Sequence, residues 1–589
     1  MKKIFSINYI RTLLKVTKII YLADKRYIYI MICIIVFTSF IPPASLKVMQ
    51  GIINMLQTSI NDLSKIFILV IIYLLLDLIQ IVIQTVLGYY KTKFGLKFNL
   101  MIKKKILDKA SRLCLNDFEN SETYDMIQRA EQESEGGLLS YFDMALSAVG
   151  MLITSVTYFF IVLNFRSWVV PLLIVIPIIR FIISNKINKE EFNIAKSRTD
   201  DQRKAWYYGY IITSGINYKE LKLYDLFSHF KEKYEVLINK FIKQDLTISK
   251  KRLKYLLIFN IFEQLLTGTL FSFAIYCGYI GEILIGDVIT YTRAMVSTKS
   301  QTQSIIMTLS DMNKASLFIE QLFEFLSIEE RNSKGTVIID RIESITVSHL
   351  SYKYKESNSY ALFDINLKIK NGDFVAIVGR NGSGKSTLMK ILMGYYEDYE
   401  GQVLINGVDL NEVEKNSYLK NIGALFQDFT KYEGTIRENI CYSNLDFINE
   451  DDKIHNVYKQ FGLEQLVEEQ GQGIDTQLGF WFESGKQISL GQWQKVALSR
   501  TVIRDADLYF LDEPNAALDS ISEYEMSKLY KKVFKNKIGI VIVHKFNNFV
   551  NNANKIVVLK DGKLINEGTH EVLITTSHEY NRLYNLQIE

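Results

Sequence analysis

The stretch Asp373-Phe-Val-Ala-Ile-Val-Gly-Arg-Asn-Gly-Ser-Gly-Lys-Ser-Thr-Leu-Met-Lys-Ile-Leu-Met393 decides how the second half of this chain is read. Asp373–Val378 is a short continuous apolar run, the pattern of a strand buried on both faces. Leu388–Met393 has the spacing of a helix. Between them lies G-x-x-x-x-G-K-[ST] in the strand–loop–helix setting that gives this motif its meaning. Gly379, Gly382 and Gly384 let backbone N–H groups converge on phosphate oxygens, with Asn381 and Ser383 completing the loop. The helix N-terminus adds partial positive charge. Lys385 offers a point charge to the outer phosphates, Ser386 a hydroxyl to Mg²⁺, and Thr387 continues the motif. A chance glycine-rich turn would lack this context.

Two further apolar runs end in polar groups. Ala506-Asp-Leu-Tyr-Phe-Leu511 leads into Asp512-Glu513, and Ile538-Gly-Ile-Val-Ile-Val543 leads into His544. Open parallel sheets bind ligands at the carboxyl ends of their strands. Asp512 is then expected to hold Mg²⁺ and Glu513 to orient and deprotonate an attacking water. A lone histidine after a strand is more often structural. At this strand end, His544 is read as a phosphate contact.

The first half is of another kind. At 589 residues the chain is too long for one compact domain. Its 48% hydrophobic and 23% charged residues exclude a disordered or collagen-like chain. The average hides long apolar runs up to about residue 310, each near the roughly 20 residues a bilayer span requires. Six spans are expected: Tyr27–Val48, Ile66–Leu87, Leu139–Val162, Trp168–Ile183, Leu256–Ile280 and, more polar, Gly286–Leu309. Basic segments, among them Lys91–Arg112 and Asn185–Lys254, alternate with near-neutral turns at Gly51–Lys65, Asn164–Ser167 and Gly278–Asp287. Both termini and the two long loops are therefore expected in the cytoplasm. Arg293 and Lys299 in the sixth span are costly in hydrocarbon and are expected to face a bundle interior or a watery path, with Gln301, Gln303 and Ser304. Pro42-Pro43 in the first span requires neighbours that satisfy the freed carbonyls. The long loops read as helices that continue beyond the bilayer and return through short contact segments at Asn120–Asp125 and Asn217–Tyr224. No small-residue cleavage site follows the first apolar run, so no removed signal peptide is expected.

Four scattered cysteines form no CxxC pair, which argues against a disulfide framework or zinc site. A net charge of +5 is too mild to imply nucleic acid.

As a set, these motifs resemble the nucleotide-binding domain of ABC transporters, and nearly the whole chain resembles an ABC exporter half-transporter. The resemblance implies a multi-domain fold: a six-helix transmembrane domain over residues 1–325, a linker at 326–341, and an α/β P-loop ATPase domain over 342–589. It implies that Tyr354 in Leu350-Ser-Tyr-Lys-Tyr354 stacks on adenine, with Tyr352 as the alternative. Gln427 in Leu425-Phe-Gln-Asp428 matches the Q-loop, which touches Mg²⁺. Ile488-Ser-Leu-Gly-Gln492 stands where the signature Leu-Ser-Gly-Gly-Gln belongs, so Ser489, Leu490, Gly491 and Gln492 become ATP contacts, followed by a helix starting near Trp493. Ala516-Ala-Leu-Asp519 matches the D-loop, which brings in Asp519, and His544 matches the switch histidine. Thr476-Gln-Leu-Gly479 resembles the cross-communication loop.

In this family the phosphate loop of one subunit and the signature of another enclose one ATP. A dimer with ATP and Mg²⁺ is implied, with a homodimer favoured over a heterodimer. Leu490 departs from the pattern, because glycine there would allow positive φ or close approach. The expected activity is ATP hydrolysis coupled to export by alternating access across the bacterial cytoplasmic membrane. Gly491-Gln-Trp-Gln-Lys495 and the segment Thr213–Asp225 resemble bacterial exporters of lantibiotic-like ribosomal peptides. A drug or lipid exporter of the same fold is the alternative, and a regulatory ABC ATPase is the second. Too few residues precede Tyr27 for an N-terminal peptidase domain, so any leader is expected to be cut elsewhere.

Overall fold

A computed structural model describes residues 8–588 apart from 59–62, 121, 122, 124, 125, 128, 129, 131–135, 216, 331–334, 355, 356, 469, 470, 516–519 and 544–547. Two compact units emerge: Met1–Leu113 with Asn120–Glu329, and Cys114–Glu119 with Glu330–Glu589.

The first unit is helical: α1 (Asn8–Ala23), α2 (Lys25–Gln57), α3 (Leu63–Ala110), α5 (Gly137–Leu163), α6 (Val169–Ser197), α7 (Thr199–Thr213), α8 (Tyr218–Leu223), α9 (Leu226–Tyr279) and α10 (Ile285–Ser327); α4 (Leu115–Phe118) belongs to the second. To within a residue, each expected span lies inside one helix. Among the described residues α2, α3, α5 and α9 are long and apolar enough to cross a bilayer. At 1.5 Å per residue, α3 and α9 reach about 72 and 81 Å, far beyond the hydrocarbon thickness of about 30 Å. The long segments after the second and fourth spans are therefore continuations of helices. Large apolar residues in the expected span of α3 point outward, with Phe67 63% and Val86 61% exposed, whereas Phe98, Ile102 and Ile106 beyond it are buried. Such a face suits lipid.

Pro42 and Pro43 lie inside α2. Pro43 cannot donate to the carbonyl of Ser39, four residues earlier. The hydroxyl of Thr154 on α5 donates to that carbonyl at 2.9 Å in a buried setting. The neighbouring helix thus supplies the partner the proline removed. A stack of Tyr27 on Phe94, with ring centroids 3.8 Å apart, packs α2 against α3. Asp287 ties α10 to α2: its carboxylate accepts from Leu284 N at 3.1 Å, from Asn54 Nδ2 at 2.8 Å and from the Gln50 amide.

The second unit has two sheets. Strands β1 (Ser344–Tyr352), β2 (Leu362–Lys370), β4 (Glu400–Ile405) and β5 (Val408–Asp409) form an antiparallel sheet in the order β2-β1-β4-β5. The other runs β10-β9-β3-β8-β7-β6, from β3 (Phe374–Val378), β6 (Ile422–Leu425), β7 (Leu508–Asp512), β8 (Ile538–Ile542), β9 (Lys555–Lys560) and β10 (Lys563–Gly568). β9, β3, β8, β7 and β6 pair in parallel, and β10 closes the edge antiparallel. Every residue of β3, β7 and β8 is buried. Parallel strands covered on both faces require such unbroken apolar runs. The registers Leu511↔Val541 and Ile377↔Ile542 align the carboxyl ends of β7, β8 and β3 on one edge.

Candidate functional site

The phosphate loop leaves β3 at Val378 and enters α11 (Lys385–Leu392). Glycine is required at two of its positions. A Cβ on Gly384, whose φ is +97°, would stand 2.7 Å from the Ala361 carbonyl oxygen, and one on Gly379 would stand 2.3 Å from that of Leu559. The Lys385 ammonium is buried and donates to the carbonyls of Gly379 at 2.8 Å and Arg380 at 3.0 Å. An ammonium has three donors, so one remains for a phosphate oxygen. Burial lowers the Lys385 pKa, and the charges of Asp512 and Glu513 act against that shift. The Ser383 hydroxyl is buried with no hydrogen-bond partner among the described residues, so it is able to donate to a ligand oxygen. Asn381, Gly382 and Ser386 are exposed, while Thr387 is buried.

β7 delivers Asp512 and Glu513 beside that loop. Burial first, then the neighbouring Glu513 charge, push the Asp512 carboxyl up to about 6, against the pull of Lys385. A buried carboxylate beside a second one is a donor set that fits a divalent cation. Glu513 sits in the left-handed region, at φ 48°. Its N–H donates to the Ile542 carbonyl at 3.1 Å, and its own carbonyl accepts from Gln494 Nε2 at 3.3 Å. A non-glycine residue held in this region marks strain that the surroundings enforce, and such strain clusters at functional sites.

The Asp512 shift gives a test. Its ordinary pKa is 3.8 and its folded value about 6, so folding disfavours the charged form. The resulting loss of stability starts near the lower value and is complete above the higher one. Asp512→Asn is therefore expected to raise the melting temperature of the nucleotide-free protein increasingly across that window and by a constant amount above it. A gain independent of pH would show that the charge carries no penalty.

Gln427 is exposed just beyond the end of β6. The tyrosine alternatives separate in the structure. Tyr352 is buried and its ring face is covered by Tyr396, with centroids 5.1 Å apart and planes at 14°. Tyr354 is half-buried, and its hydroxyl is 2.9 Å from that of Thr387 in α11. Of the two, Tyr354 keeps a face for a base.

The signature segment opens α12 (Leu490–Ile503), three residues earlier than expected. Ser489 caps it: its hydroxyl accepts from Gln492 N at 3.2 Å, and Gln492 Oε1 accepts from Ser489 N at 2.9 Å. Reciprocal capping of this kind fixes a helix start. Leu490 is therefore the first helical residue, with its side chain 53% exposed. Its position needs no positive φ, so only the close-approach reason for glycine remains. Gly491 is half-buried. Among the described residues no hydrogen bond joins Ser489–Gln492 to Gly379–Thr387. Asp519 and His544 lie outside the described residues.

Sequence reasoning missed one contact. Its first contact segment, Asn120–Asp125, falls partly outside the described residues, and the short helix α4 precedes it. Glu119, following α4, accepts from the Tyr396 hydroxyl at 3.0 Å and from Lys390 Nζ at 3.2 Å. Tyr396 in turn touches both Tyr352 and Tyr354. A single acidic residue after a four-residue helix carries no readable signal. The Thr476–Gly479 segment is pinned by Glu433, whose carboxylate accepts from Phe480 N at 2.9 Å and Trp481 N at 3.2 Å.

A phosphate loop at the end of β3, with carboxylates at the end of β7, defines a P-loop ATPase unit, here following a bundle of membrane-type helices. A family model described as ABC transporter matches residues 362–516. The chain is 36% identical over 576 residues to the subtilin transport ATP-binding protein SpaT of Bacillus subtilis, covering 97% of this chain and 93% of that protein. It is 36% identical over 581 residues to the nisin transport ATP-binding protein NisT of Lactococcus lactis subsp. lactis, covering 97% and 96%. A solved bacterial Atm1-family ABC exporter with ATP bound shares the fold, with a TM-score of 0.78 at 19% identity over 95% of this chain and 97% of that one. The chain belongs to the ABC transporter family. It is a membrane protein whose ATPase unit couples ATP hydrolysis to transport.

Proposed function

We propose that the chain exports a ribosomally made, lantibiotic-like peptide across the bacterial cytoplasmic membrane. The observation that carries this reading is the 36% identity to the subtilin and nisin transport proteins, which runs through the membrane half as well as the ATPase half. The alternation of basic and neutral loops supports a cytoplasmic ATPase unit and cytoplasmic termini.

In this reading the residues take the following parts. Tyr354 stacks on adenine. The backbone from Gly379 to Gly384, with Asn381, Gly382 and Ser383, surrounds the phosphates, while Lys385 and Thr387 fix the loop around them. Ser386, Gln427 and Asp512 would hold Mg²⁺, which would neutralise charge on the outer phosphates. Glu513 takes a proton from the attacking water, and His544 contacts the γ-phosphate. Ser489, Leu490, Gly491 and Gln492, with Asp519, serve an ATP held by the partner subunit. The half-transporter fold shared with the solved exporter supports a dimer. So does the exposed end of α8, where its last residue Leu223 is 75% and the following Tyr224 65% exposed.

A homodimer is proposed, in which both sites accept Leu490. Leu490→Gly is then expected to keep or raise ATPase activity, because an exposed first-turn side chain contributes little to the helix. A large loss of activity would show that the leucine is fitted to the site.

The test of the export reading is mass spectrometry of peptides in the medium and in cells carrying wild-type or Glu513→Gln protein. A peptide that disappears from the medium and accumulates inside is the expected result. An unchanged peptide profile would overturn it.

A further inference from the structure

Helix α10 carries two cations within its expected span, and the structure treats them differently. Arg293 and Lys299 are six residues apart, which places them about 120° apart around the helix. Lys299 faces Glu263 of α9, with Nζ 4.0 Å from a carboxylate that is itself only 3% exposed. Arg180 of α6 stands 3.4 Å from the same carboxylate, and the Gln303 amide donates to it. Two cations and a glutamine amide thus share one buried carboxylate, so Lys299 has a counter-charge within the fold. Two of the expected path-lining residues, Lys299 and Gln303, are thus engaged in holding α6, α9 and α10 together.

Arg293 has no carboxylate partner and no hydrogen bond among the described residues. It lines a cleft of about 470 Å³ within the helical unit. Gln80, Thr292 and Ser297 add polar groups to that cleft, while Leu46 and Phe271 give it apolar wall. Eight residues separate Arg293 from the start of α10, about 12 Å along the axis. A guanidinium without a carboxylate partner inside an expected span is costly in hydrocarbon, and such a residue points to a ligand or ion pathway. Its planar donor fork matches a carboxylate or a phosphate in two parallel hydrogen bonds. A cleft of this size holds the end of a molecule rather than a whole peptide.

We propose that the Arg293 cleft is an anion-recognising subsite of the transport path, which takes the carboxylate or phosphate group of an amphiphilic passenger while Leu46 and Phe271 meet its apolar part. This rests on the export reading and adds to it the chemistry that is recognised.

The test uses the full-length dimer in phosphatidylcholine nanodiscs and a fluorescent amphipathic peptide ending in two glutamates, compared with the same peptide ending in two glutamines. The wild type is expected to bind the acidic peptide about tenfold more tightly, the usual worth of a charged hydrogen-bonded contact. Arg293→Gln removes this preference and Arg293→Lys keeps part of it. Adding phosphatidylglycerol separates the sources of the anion. Displacement of the acidic peptide from wild type but not from Arg293→Gln supports the subsite with a lipid phosphate as occupant. No displacement, with the preference intact, supports it with a peptide carboxylate. A preference that survives Arg293→Gln overturns the subsite, as does one abolished equally by Lys299→Gln, which would reveal a general field effect. Neither of those results touches the export reading, which stands or falls on the secreted peptide profile.

Discussion

Glu513→Gln protein is expected to bind ATP, remain closed around it and hydrolyse it about 10²- to 10⁴-fold more slowly than wild type, the range a positioned general base contributes. The amide is nearly isosteric and keeps the backbone arrangement, in which Glu513 N reaches Ile542 and Gln494 reaches the Glu513 carbonyl. What it loses is the ability to accept a proton. It also removes one of the two neighbouring negative charges, so nucleotide binding is expected to hold or tighten. Phosphate release and filter-bound nucleotide, measured on the same sample, separate the two effects. Hydrolysis at the wild-type rate would remove Glu513 from the base role and turn attention to another group at the same strand edge.

Lys385→Ala is expected to abolish productive ATP binding. The ammonium is the buried cation that faces Asp512 and Glu513, and their charges sustain it against desolvation. Alanine would take away a contact to the phosphates and would also remove one of the positive charges acting on these carboxylates, where the nucleotide's own negative charge must enter. Both effects act in one direction, and a loss of about a hundredfold or more in affinity follows from a charge-assisted contact plus unscreened repulsion. Titration with a fluorescent ATP analogue reads the loss. Affinity within threefold or so of wild type would mean that the backbone amides alone hold the phosphates.

The parts of the molecule legible from its sequence are those where local pattern and tertiary role coincide. β3, β7 and β8 are unbroken apolar runs because both faces are covered, and the glycines at 379 and 384 are dictated by neighbouring carbonyls that leave no room for a Cβ. Other features depend on partners far away along the chain. That Thr154 would satisfy the carbonyl freed by Pro43 follows only from the packing of α5 on α2. That Lys299 has a carboxylate partner while Arg293 has none among the described residues depends on helix rotation, and in a helix as mixed as α10 no stripe of apolar residues reveals which side faces in. The start of α12 lies three residues before Trp493 because Ser489 and Gln492 form a capping pair, a role the signature motif does not announce. That Tyr396 lies flat on Tyr352, and not on Tyr354, likewise depends on packing that the local pattern does not carry.

The short segment Cys114–Glu119 has a consequence for anyone who wishes to exchange parts between transporters of this kind. It lies more than two hundred residues ahead of the ATPase strands, yet Leu115 packs against their core and Glu119 meets Tyr396 and Lys390. The natural seam between the halves is therefore not a single cut near Glu330. A chimaera joined there would set a foreign loop against Tyr396, which touches Tyr352 and Tyr354, and an ATPase half made alone would lack the contacts of Leu115 and Glu119. Grafts that carry residues 114–119 along with the ATPase half respect the boundary that the packing draws.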